Sequence, residues 1–458
     1  MPRRFCCLLI ILFAACVLAQ EKPIALEGTV LTSEEAIPGG MVLIEHGVIR
    51  DVGLHLSLPA GTTLVKTDGV IAPGLIDLHN HLTWNIFPRW KPNEEFGSRY
   101  DWQQTPVYKV LMDAPHQALV EEGLECDAER YAEVKAITEG ETSVVGSLRA
   151  PCNRGLARNL DDLREPGATA PELGANAQQR IVYNVFPLQM TEPEISDAKQ
   201  ALGSGGALLI HLAEGAPNNA SAAREFLMLK GRGLLMPGVS LIHAVALQPD
   251  DFREMSAAGV GFVWSPRSNM ELYGGTANVA AALASHVVTA LAPDWSPTGS
   301  DGLLGELQFA AIWNATQPHH LFDDHSLADM ATVNAAKLVH MDHKLGQIRK
   351  GYAADLLIIR GPAAVHGEDP WWTLDHAGPE QVELVMVGGE PIYGDTGPMQ
   401  QLLQDSALET LNLCGSEKRI SFRTEPGSPP AFAGTEARLR TALRAQGRTL
   451  APLSECGN

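Results

Sequence analysis

The sequence predicts an α/β protein in which a barrel of alternating strands and helices stands beside a small β-sandwich. The middle of the chain alternates apolar, strand-like runs with helical patterns, as parallel βα units do. Both ends carry short strand patterns instead, and histidines or acidic residues follow several strands of the middle. We therefore predict a barrel over residues 73–344, flanked by sandwich parts at 20–72 and 345–397.

The sandwich prediction depends on alternating apolar residues near both ends of the chain. Two β-rich ends around a long middle are most economically paired with each other. The strand patterns are Ile24 to Leu31, Met41 to Glu45, Val48 to Val52, Ala354 to Ile359 and Val382 to Val387.

The middle supplies seven strand patterns, whereas a barrel of this kind needs eight. They are Ile76 to Leu78, Thr142 to Gly146, Ile181 to Phe186, Ala207 to His211, Ser240 to His243, Val260 to Trp264 and Val287 to Leu291. The missing strand is expected between Pro151 and Arg180, with Leu156 to Leu160 as the candidate.

Residues 1–19 have the pattern of a signal peptide. Two arginines precede an apolar run that ends at Leu18, and a cleavage site follows Ala19. The run is short for a membrane span. A lipoprotein signal with Cys16 as the lipidated residue and an uncleaved anchor both stay open. We expect an exported protein, periplasmic or secreted.

The cysteines fit export. Outside the predicted signal the chain keeps Cys126, Cys152, Cys414 and Cys456, an even number that suggests disulfides in an oxidising compartment. Sequence order favours Cys126 with Cys152 and Cys414 with Cys456. Four buried free thiols remain the alternative.

Composition excludes some partners. Hydrophobic residues make up 45% and charged residues 19% of the 458-residue chain, which is typical of a globular protein. The formal net charge of −20 argues against nucleic acid or an anionic membrane surface as a partner. We expect a small-molecule substrate, with no membrane contact beyond a lipid anchor at Cys16.

Beyond residue 397 we predict a helical extension over residues 398–458. Met399 to Leu413 and Gly434 to Gln446 have helical patterns. Two roles stay open for the extension: covering a neighbouring face of the protein, or supporting homo-oligomerisation.

The candidate site begins where the first barrel strand ends. His79 and His81 are two residues apart, so on a strand their side chains point to the same side and can meet one metal ion. His211, His243 and Asp294 end later strands, and Glu214 follows His211 by three residues.

Active sites of such barrels lie at the carboxyl ends of the strands. Buried imidazoles and carboxylates are costly unless they are paired or ligated. Packing alone does not readily explain so many of them at strand ends, and the set therefore predicts a metal site.

These motifs resemble the amidohydrolase superfamily, and within it the cytosine deaminase and triazine hydrolase-like metal-dependent hydrolases. The resemblance covers about residues 24–397. It implies a distorted (β/α)8 barrel beside a split β-sandwich. The motifs that carry it are Pro73 to His81, His211 to Glu214, His243, Ser265 to Asn269, Asp294, Ala331 to Ala336 and Gly346 to Asp355.

The resemblance also implies a ligand set and a mechanism. His79, His81, His211 and Asp294 would bind one divalent metal ion, Zn²⁺ with Fe²⁺ as the alternative. The ion would lower the pKa of a bound water toward about 7. Asp294 and His243 would orient and deprotonate that water, and Glu214 would pass the proton to the leaving nitrogen.

One absence favours a single metal ion. Some relatives bridge two ions with a carboxylated lysine at a mid-barrel strand end, and no lysine ends Ile181 to Phe186. With two ions, His243 would become a ligand. Ala292-Pro293 departs from the family pattern before Asp294 and leaves the geometry there open.

Substrate binding is expected from Trp84, Arg267 and Asn269. Trp84 opens an aromatic segment that ends at Trp102, and this segment is either a lid over a flat ligand or a loop packed on the barrel. Ser265 to Asn269 would shape the pocket, and Arg267 would meet an anionic or carbonyl group unless it is a solvated loop arginine.

The resemblance predicts a hydrolase for carbon–nitrogen bonds other than peptide bonds. Deamination of a heterocycle and hydrolysis of a cyclic amide use the same ligands, so both stay open. The alternatives are a hydrolase of N-acyl amino acids or dipeptides and a catalytically silent binding protein that uses the same pocket.

Overall fold

The computed structural model describes residues 22–146, 152, 156–161, 172–174, 180–361, 369–422 and 431–456. The predicted signal peptide lies outside these residues. Within them, no helix has both the length and the apolar character that crossing a bilayer requires.

The strands are β1 (Ile24–Leu31), β2 (Ala36–Glu45), β3 (Val48–Gly53), β4 (Thr63–Pro73), β5 (Leu75–Asp77), β6 (Glu141–Val144), β7 (Arg158–Asn159), β8 (Ile181–Asn184), β9 (Ala207–Leu212), β10 (Val239–His243), β11 (Gly261–Trp264), β12 (Thr289–Leu291), β13 (Leu356–Ile359), β14 (Val382–Val387), β15 (Glu390–Asp395), β16 (Leu408–Leu413) and β17 (Ser416–Ser421). The helices are α1 (Arg99–Trp102), α2 (Pro106–Tyr108), α3 (Ala114–Glu121), α4 (Glu125–Thr138), α5 (Glu192–Gly203), α6 (Ala220–Gly231), α7 (Pro249–Ala258), α8 (Pro266–Tyr273), α9 (Val279–Ala284), α10 (Leu303–Ala315), α11 (Asp324–Met330), α12 (Val333–Leu338), α13 (Pro370–Asp375), α14 (Thr396–Leu402) and α15 (Phe432–Ala445).

Strands β5 to β12 are parallel to their neighbours and form a TIM-barrel-like α/β unit. They lie in two sheets, one of order β5-β6-β7 and one of order β12-β11-β10-β9-β8. Strand β7 falls inside the candidate run Leu156 to Leu160, so the expected eighth strand is present. Strands β9 to β12 are buried along their whole length, as expected where both faces of a sheet are covered.

The first and last strands of the unit meet just beyond their carboxyl ends. The amide of His81 donates to the carbonyl oxygen of Asp294, and the amide of Asp294 donates to that of His79, both at 3.0 Å. Between β7 and β8 the described residues show no backbone pairing, so the strands form two sheets instead of one continuous barrel sheet.

Both ends of the chain build one nine-stranded sheet, of order β16-β17-β15-β14-β13-β4-β1-β2-β3. Because side chains alternate along a strand, its two faces serve different cores. On β13, Leu356 and Ile358 join the sheet's own core, whereas Leu357 and Ile359 join the core shared with the barrel. The sheet thus holds the barrel by its second face.

One predicted element is wrong. The helical pattern from Met399 to Leu413 ends as α14 at Leu402, and β16 and β17 form an antiparallel hairpin that extends the sheet. The turn explains the difference: Cys414 and Gly415 both have positive φ, 51° and 79°, as two-residue hairpin turns of type I′ require. The second predicted helix corresponds to α15.

The cysteines lie in the two pairs that sequence order favours. The Sγ atoms of Cys126 and Cys152 are 2.05 Å apart, and those of Cys414 and Cys456 are 2.08 Å apart. Both pairs are therefore placed at disulfide distance.

The residues before Cys456 dock against the barrel. The amide of Ala451 donates to the carbonyl oxygen of Ile86 at 2.8 Å, and the Ser454 hydroxyl donates to Glu139 at 2.8 Å. The amide of Glu455 donates to Asp301 at 2.6 Å. The tail therefore joins three parts of the barrel: the segment after β5, helix α4 and the loop after β12.

Several carboxyl groups are buried below the strand ends. Burial raises the pKa of Glu139 and of Glu306 from 4.5 to about 7. Burial also raises the pKa of Asp77 and of Glu141 well above their ordinary values. These groups favour the protonated form in the folded protein.

We predict that Cys414→Ser/Cys456→Ser lowers the free energy of unfolding by about 4 kcal/mol, because a disulfide between residues 42 apart in sequence restricts the unfolded chain. Urea unfolding of the protein purified from an oxidising compartment measures this. Mass spectrometry of a non-reduced digest should find both cysteine pairs. Four free thiols there would contradict the prediction.

We predict that stability falls as pH rises from about 4.5 to about 7. The unfolded chain ionises Glu139 and Glu306 near pH 4.5, whereas the folded protein keeps both protons up to about pH 7. Each group then costs on the order of 3 kcal/mol once both states are ionised. Urea unfolding at pH 5 and pH 7.5 measures the change. Glu139→Gln/Glu306→Gln should flatten it, and an equally steep fall in that variant would refute the assignment.

Candidate active site

Four donor atoms from three strand ends converge on one point. The His79 and His81 side chains follow β5, His211 lies on β9 and Asp294 follows β12. The Nε2 atom of His211 lies 3.0 Å from that of His79 and 3.3 Å from that of His81. Asp294 Oδ1 lies 3.2 Å and 3.4 Å from the same two histidine nitrogens. Backbone pairing across the seam between β5 and β12 brings these groups together.

The spacing fits a tetrahedral metal ion. Ligand atoms about 2.1 Å from a tetrahedral centre are about 3.4 Å apart. His211 Nδ1 lies 3.2 Å from the carbonyl oxygen of Asn184, which can only accept, so the His211 Nε2 lone pair points into the cluster. Lone pairs facing each other at this distance repel unless a cation lies between them. The residues present therefore fit a divalent metal ion.

Burial keeps the histidines in the form that binds metal. It lowers the pKa of His79 to about 3 and that of His81 to about 4. Burial also lowers the pKa of His211. All three rings are neutral at pH 7, as metal ligation requires.

Asp294 reaches the cluster despite the unusual Ala292-Pro293 before it. Its backbone has φ 70°, and His243 has φ 69°. Non-glycine residues in this left-handed region cost on the order of 1–3 kcal/mol each and concentrate at functional sites. The Ser268 hydroxyl donates to Asp294 Oδ2 at 2.5 Å, which leaves Oδ1 for the cluster.

Glu214 stands beside the cluster with both carboxylate oxygens in contact with protein groups. Tyr273 donates its hydroxyl to Oε1 at 2.6 Å. Oε2 lies 3.2 Å from Arg99 Nη1 and 3.6 Å from His243 Nε2. Burial alone would raise the pKa of Glu214, but its electrostatic interactions with His243 and Arg99 and the Tyr273 hydrogen bond outweigh burial, and the pKa lies below its ordinary value.

A cavity of about 210 Å³ opens over these groups. Its floor includes Glu214 and three of the four donor residues, His81, His211 and Asp294, and its walls are largely aromatic. The Trp102 ring centroid lies 5.0 Å from that of Tyr108 and 5.6 Å from that of Trp295. The aromatic wall residues are Trp84, Trp102, Tyr108, Phe186 and Trp295. Such a cavity suits a flat, largely apolar ligand with one polar end.

The aromatic segment after His81 divides between the two expected roles. Trp84 and Trp102 line the cavity. Phe87, Trp90 and Phe96 are buried in the main core instead. The segment is therefore partly a wall of the cavity and partly ordinary packing.

The structure places two expected substrate-binding residues elsewhere. Asn269 lies behind the site, where its Oδ1 is 2.8 Å from His243 Nδ1 and holds that ring in place. Arg267 directs its guanidinium away from the cavity, to Ser300 and Glu455 at 3.4 Å each. The first turn of α8 causes this, because the Arg267 amide is fixed by Glu306 at 3.0 Å.

Three residues of the site were not expected from the sequence. Arg99 and Tyr273 hold Glu214, and Trp295 forms part of the cavity wall. No spacing pattern marks Arg99 or Tyr273. Trp295 had a usable signal, since it directly follows a predicted ligand at a strand end.

The amidohydrolase family model matches residues 188–392. A 5-methylthioadenosine/S-adenosylhomocysteine deaminase from Desulforudis audaxviator is 25% identical over 356 residues, which cover 70% of this chain and 81% of that protein. A 5'-deoxyadenosine deaminase from Methanococcoides burtonii is 26% identical over 361 residues, with coverage of 72% and 82%.

Two solved structures share the fold. The crystal structure of an adenosine deaminase from Xanthomonas campestris with bound zinc has a TM-score of 0.68 at 16% identity, and covers 93% of this chain and 99% of that one. The triazine hydrolase from Arthrobacter aurescens has a TM-score of 0.63 at 20% identity, with coverage of 81% and 95%. Both support a TIM-barrel-like α/β fold with a β-sandwich. The family match and the deaminase relatives support the resemblance to the amidohydrolase superfamily that the sequence motifs indicate.

Proposed function

We propose that this protein is a metal-dependent hydrolase that removes the amino group of a nitrogen heterocycle and releases ammonia. The observation that carries the proposal is the convergence of four donor atoms at the base of an aromatic cavity, which three of the donor residues line together with Glu214. The relatives are named as deaminases of adenosine derivatives, and this favours deamination over hydrolysis of a cyclic amide.

The donor set of three imidazole nitrogens and one carboxylate oxygen favours Zn²⁺. Zinc in proteins prefers four such ligands in tetrahedral geometry. When bound, the ion supplies Lewis acidity that lowers the pKa of a water molecule toward about 7, so that hydroxide is available at neutral pH.

The chain's own residues orient the water and move its protons. Asp294, fixed by Ser268, and His243, fixed by Asn269, both line the cavity and would orient the attacking water. In the overall reaction the water oxygen becomes the ring carbonyl oxygen. One proton ends on the ring nitrogen, and the other leaves with the amino nitrogen as ammonia. Glu214 is placed to carry a proton between the water and the substrate nitrogen.

The cavity walls hold the substrate ring. Trp84, Trp102 and Trp295 offer flat apolar surfaces against which an aromatic ring can pack. They also displace water around the reacting carbon, which strengthens the electrostatic interactions of Glu214 and Asp294.

We also propose that the protein acts outside the cytoplasm. The amino-terminal pattern of residues 1–19 and the two cysteine pairs at disulfide distance support this location. An exported deaminase would meet heterocycles from the environment or the envelope.

We predict that His79→Ala and Asp294→Ala each lose the bound metal ion together with ammonia release, because each removes one of the four ligands. Elemental analysis of the purified protein should find about one equivalent of zinc in the wild type. His320→Ala, which removes an exposed histidine, is the control and should keep it. Nearly two equivalents in the wild type would add His243 to the ligands. Full metal content in both ligand variants would contradict the site.

We predict that Glu214→Gln keeps the metal ion but lowers kcat by roughly 10²–10⁴, since the amide cannot carry a proton. Steady-state ammonia release with a coupled assay measures this. Glu225→Gln is the matched control, because Glu225 is a buried carboxylate that accepts the Ala213 amide at 2.8 Å. An activity of Glu214→Gln within threefold of the wild type would exclude Glu214 as the proton carrier.

A further inference from the structure

Arg99 is a buried arginine in the wall of the cavity. Its residue exposure is 1%, and it lines the cavity together with Glu214. Its guanidinium carbon lies 4.9 Å from the ring centroid of Phe186, so the cation rests on an aromatic face. An arginine is rarely buried this deeply without a partner for its charge.

The backbone fixes Arg99 beside the catalytic carboxylate. The Arg99 amide donates to the carbonyl oxygen of Glu214 at 3.3 Å, and the Ala216 amide donates to that of Gly97 at 2.8 Å. Ser98 and Gly215 form an antiparallel bridge between them. The backbone of Arg99 is therefore preorganised beside the cavity, which lowers the entropic cost of binding a ligand there.

The protein satisfies this guanidinium only in part. Nη1 lies 3.2 Å from Glu214 Oε2, which balances its charge. However, Nε and Nη1 have no hydrogen-bond acceptor of suitable geometry among the residues that the structure describes. Buried donors in native proteins are almost always hydrogen-bonded, so an unsatisfied buried pair needs an explanation. Both atoms are shielded from solvent, but the Arg99 side chain lines the cavity, so a small shift of the guanidinium would bring them to a ligand oxygen there.

The charges around the cavity indicate what kind of oxygen. Arg99 contributes +1, Glu214 and Asp294 contribute −1 each, and the neutral histidines contribute nothing, which gives −1. A divalent ion with a neutral bound water would change this sum to +1, before that water loses a proton. A monoanionic carboxylate would neutralise it, whereas a phosphate, with a charge of about −1.5 to −2 at pH 7, would overcompensate it.

We propose that Arg99 is a specificity-determining residue that binds a carboxylate of the substrate, so that the substrate class is heterocycles with a carboxylate substituent. This rests on the proposed function, because the reacting carbon must lie at the ligand cluster while the carboxylate reaches Arg99. Planar, charge-assisted hydrogen bonds from arginine to carboxylate suit this role. The anion-binding role expected of Arg267 thus falls to Arg99.

The test is binding, measured by isothermal titration calorimetry on the zinc-loaded protein. The probes are isosteric pairs of acid and amide: benzoate with benzamide, indole-3-acetate with indole-3-acetamide, and adenine-9-acetate with adenine-9-acetamide. At least one acid should bind roughly tenfold tighter than its amide. In Arg99→Met this preference should fall below threefold, and Arg99→Lys should keep part of it.

Two controls separate the alternatives. Arg267→Met removes a guanidinium that points away from the cavity, so the preference for the acid should persist. A preference that persists in Arg99→Met means that the metal ion binds the carboxylate, and it overturns the proposal. The proposal also fails if no acid binds more tightly than its amide to the wild type.

The test does not depend on turnover. A wild type that shows the Arg99-dependent preference but releases ammonia from no heterocycle would refute the deaminase and keep the carboxylate site. Ammonia release from heterocycles without any preference for the acids would keep the deaminase and refute the carboxylate site. Zinc content and circular dichroism show whether each Arg99 variant is folded. Arg99→Lys keeps the charge beside Glu214.

Discussion

The site depends on the backbone seam between the first and last parallel strands. Two reciprocal hydrogen bonds, from His81 to Asp294 and from Asp294 to His79, set the side chains of three ligands against one another. His211 then needs only to lie on a neighbouring strand to complete the cluster. The left-handed backbone at Asp294 follows from the same seam, because the chain must turn sharply there to bring its carboxylate inward. Fold closure and the assembly of the proposed metal site are thus one constraint.

The side chains of the cluster could be predicted from the sequence because strand ends order them. Period-two spacing placed His79 and His81 on one side, and the rule that parallel strands end at one face gathered His211, Glu214, His243 and Asp294. The structure brings these six side chains together. Arg99 begins the short helix α1, where no periodicity marks it, and only tertiary contacts bring it to Glu214. The expected contact between Arg267 and the substrate is not found, for a local reason. The start of a helix fixes the Arg267 backbone, and its side chain points to Glu455 instead of the cavity.

The edge of the large sheet shows the limit of local patterns. Leu408 to Leu413 contains leucines whose spacing fits a helix, but the following Cys414-Gly415 turn and pairing with β17 decide for a strand. Tertiary pairing overrides a weak local preference in such cases. The sheet still performs its predicted task, because residues from both chain ends alternate between its own core and the barrel.

The docked tail has a consequence for the order of synthesis. Residues 451–456 hydrogen-bond to the segment after β5 and to the loop after β12, which are two walls of the active site. Neither wall has all its contacts until the ribosome has made these residues. A chain that crosses a membrane while still unfolded would therefore complete its active site only on the far side. The cytoplasm would contain the polypeptide without its catalytic power.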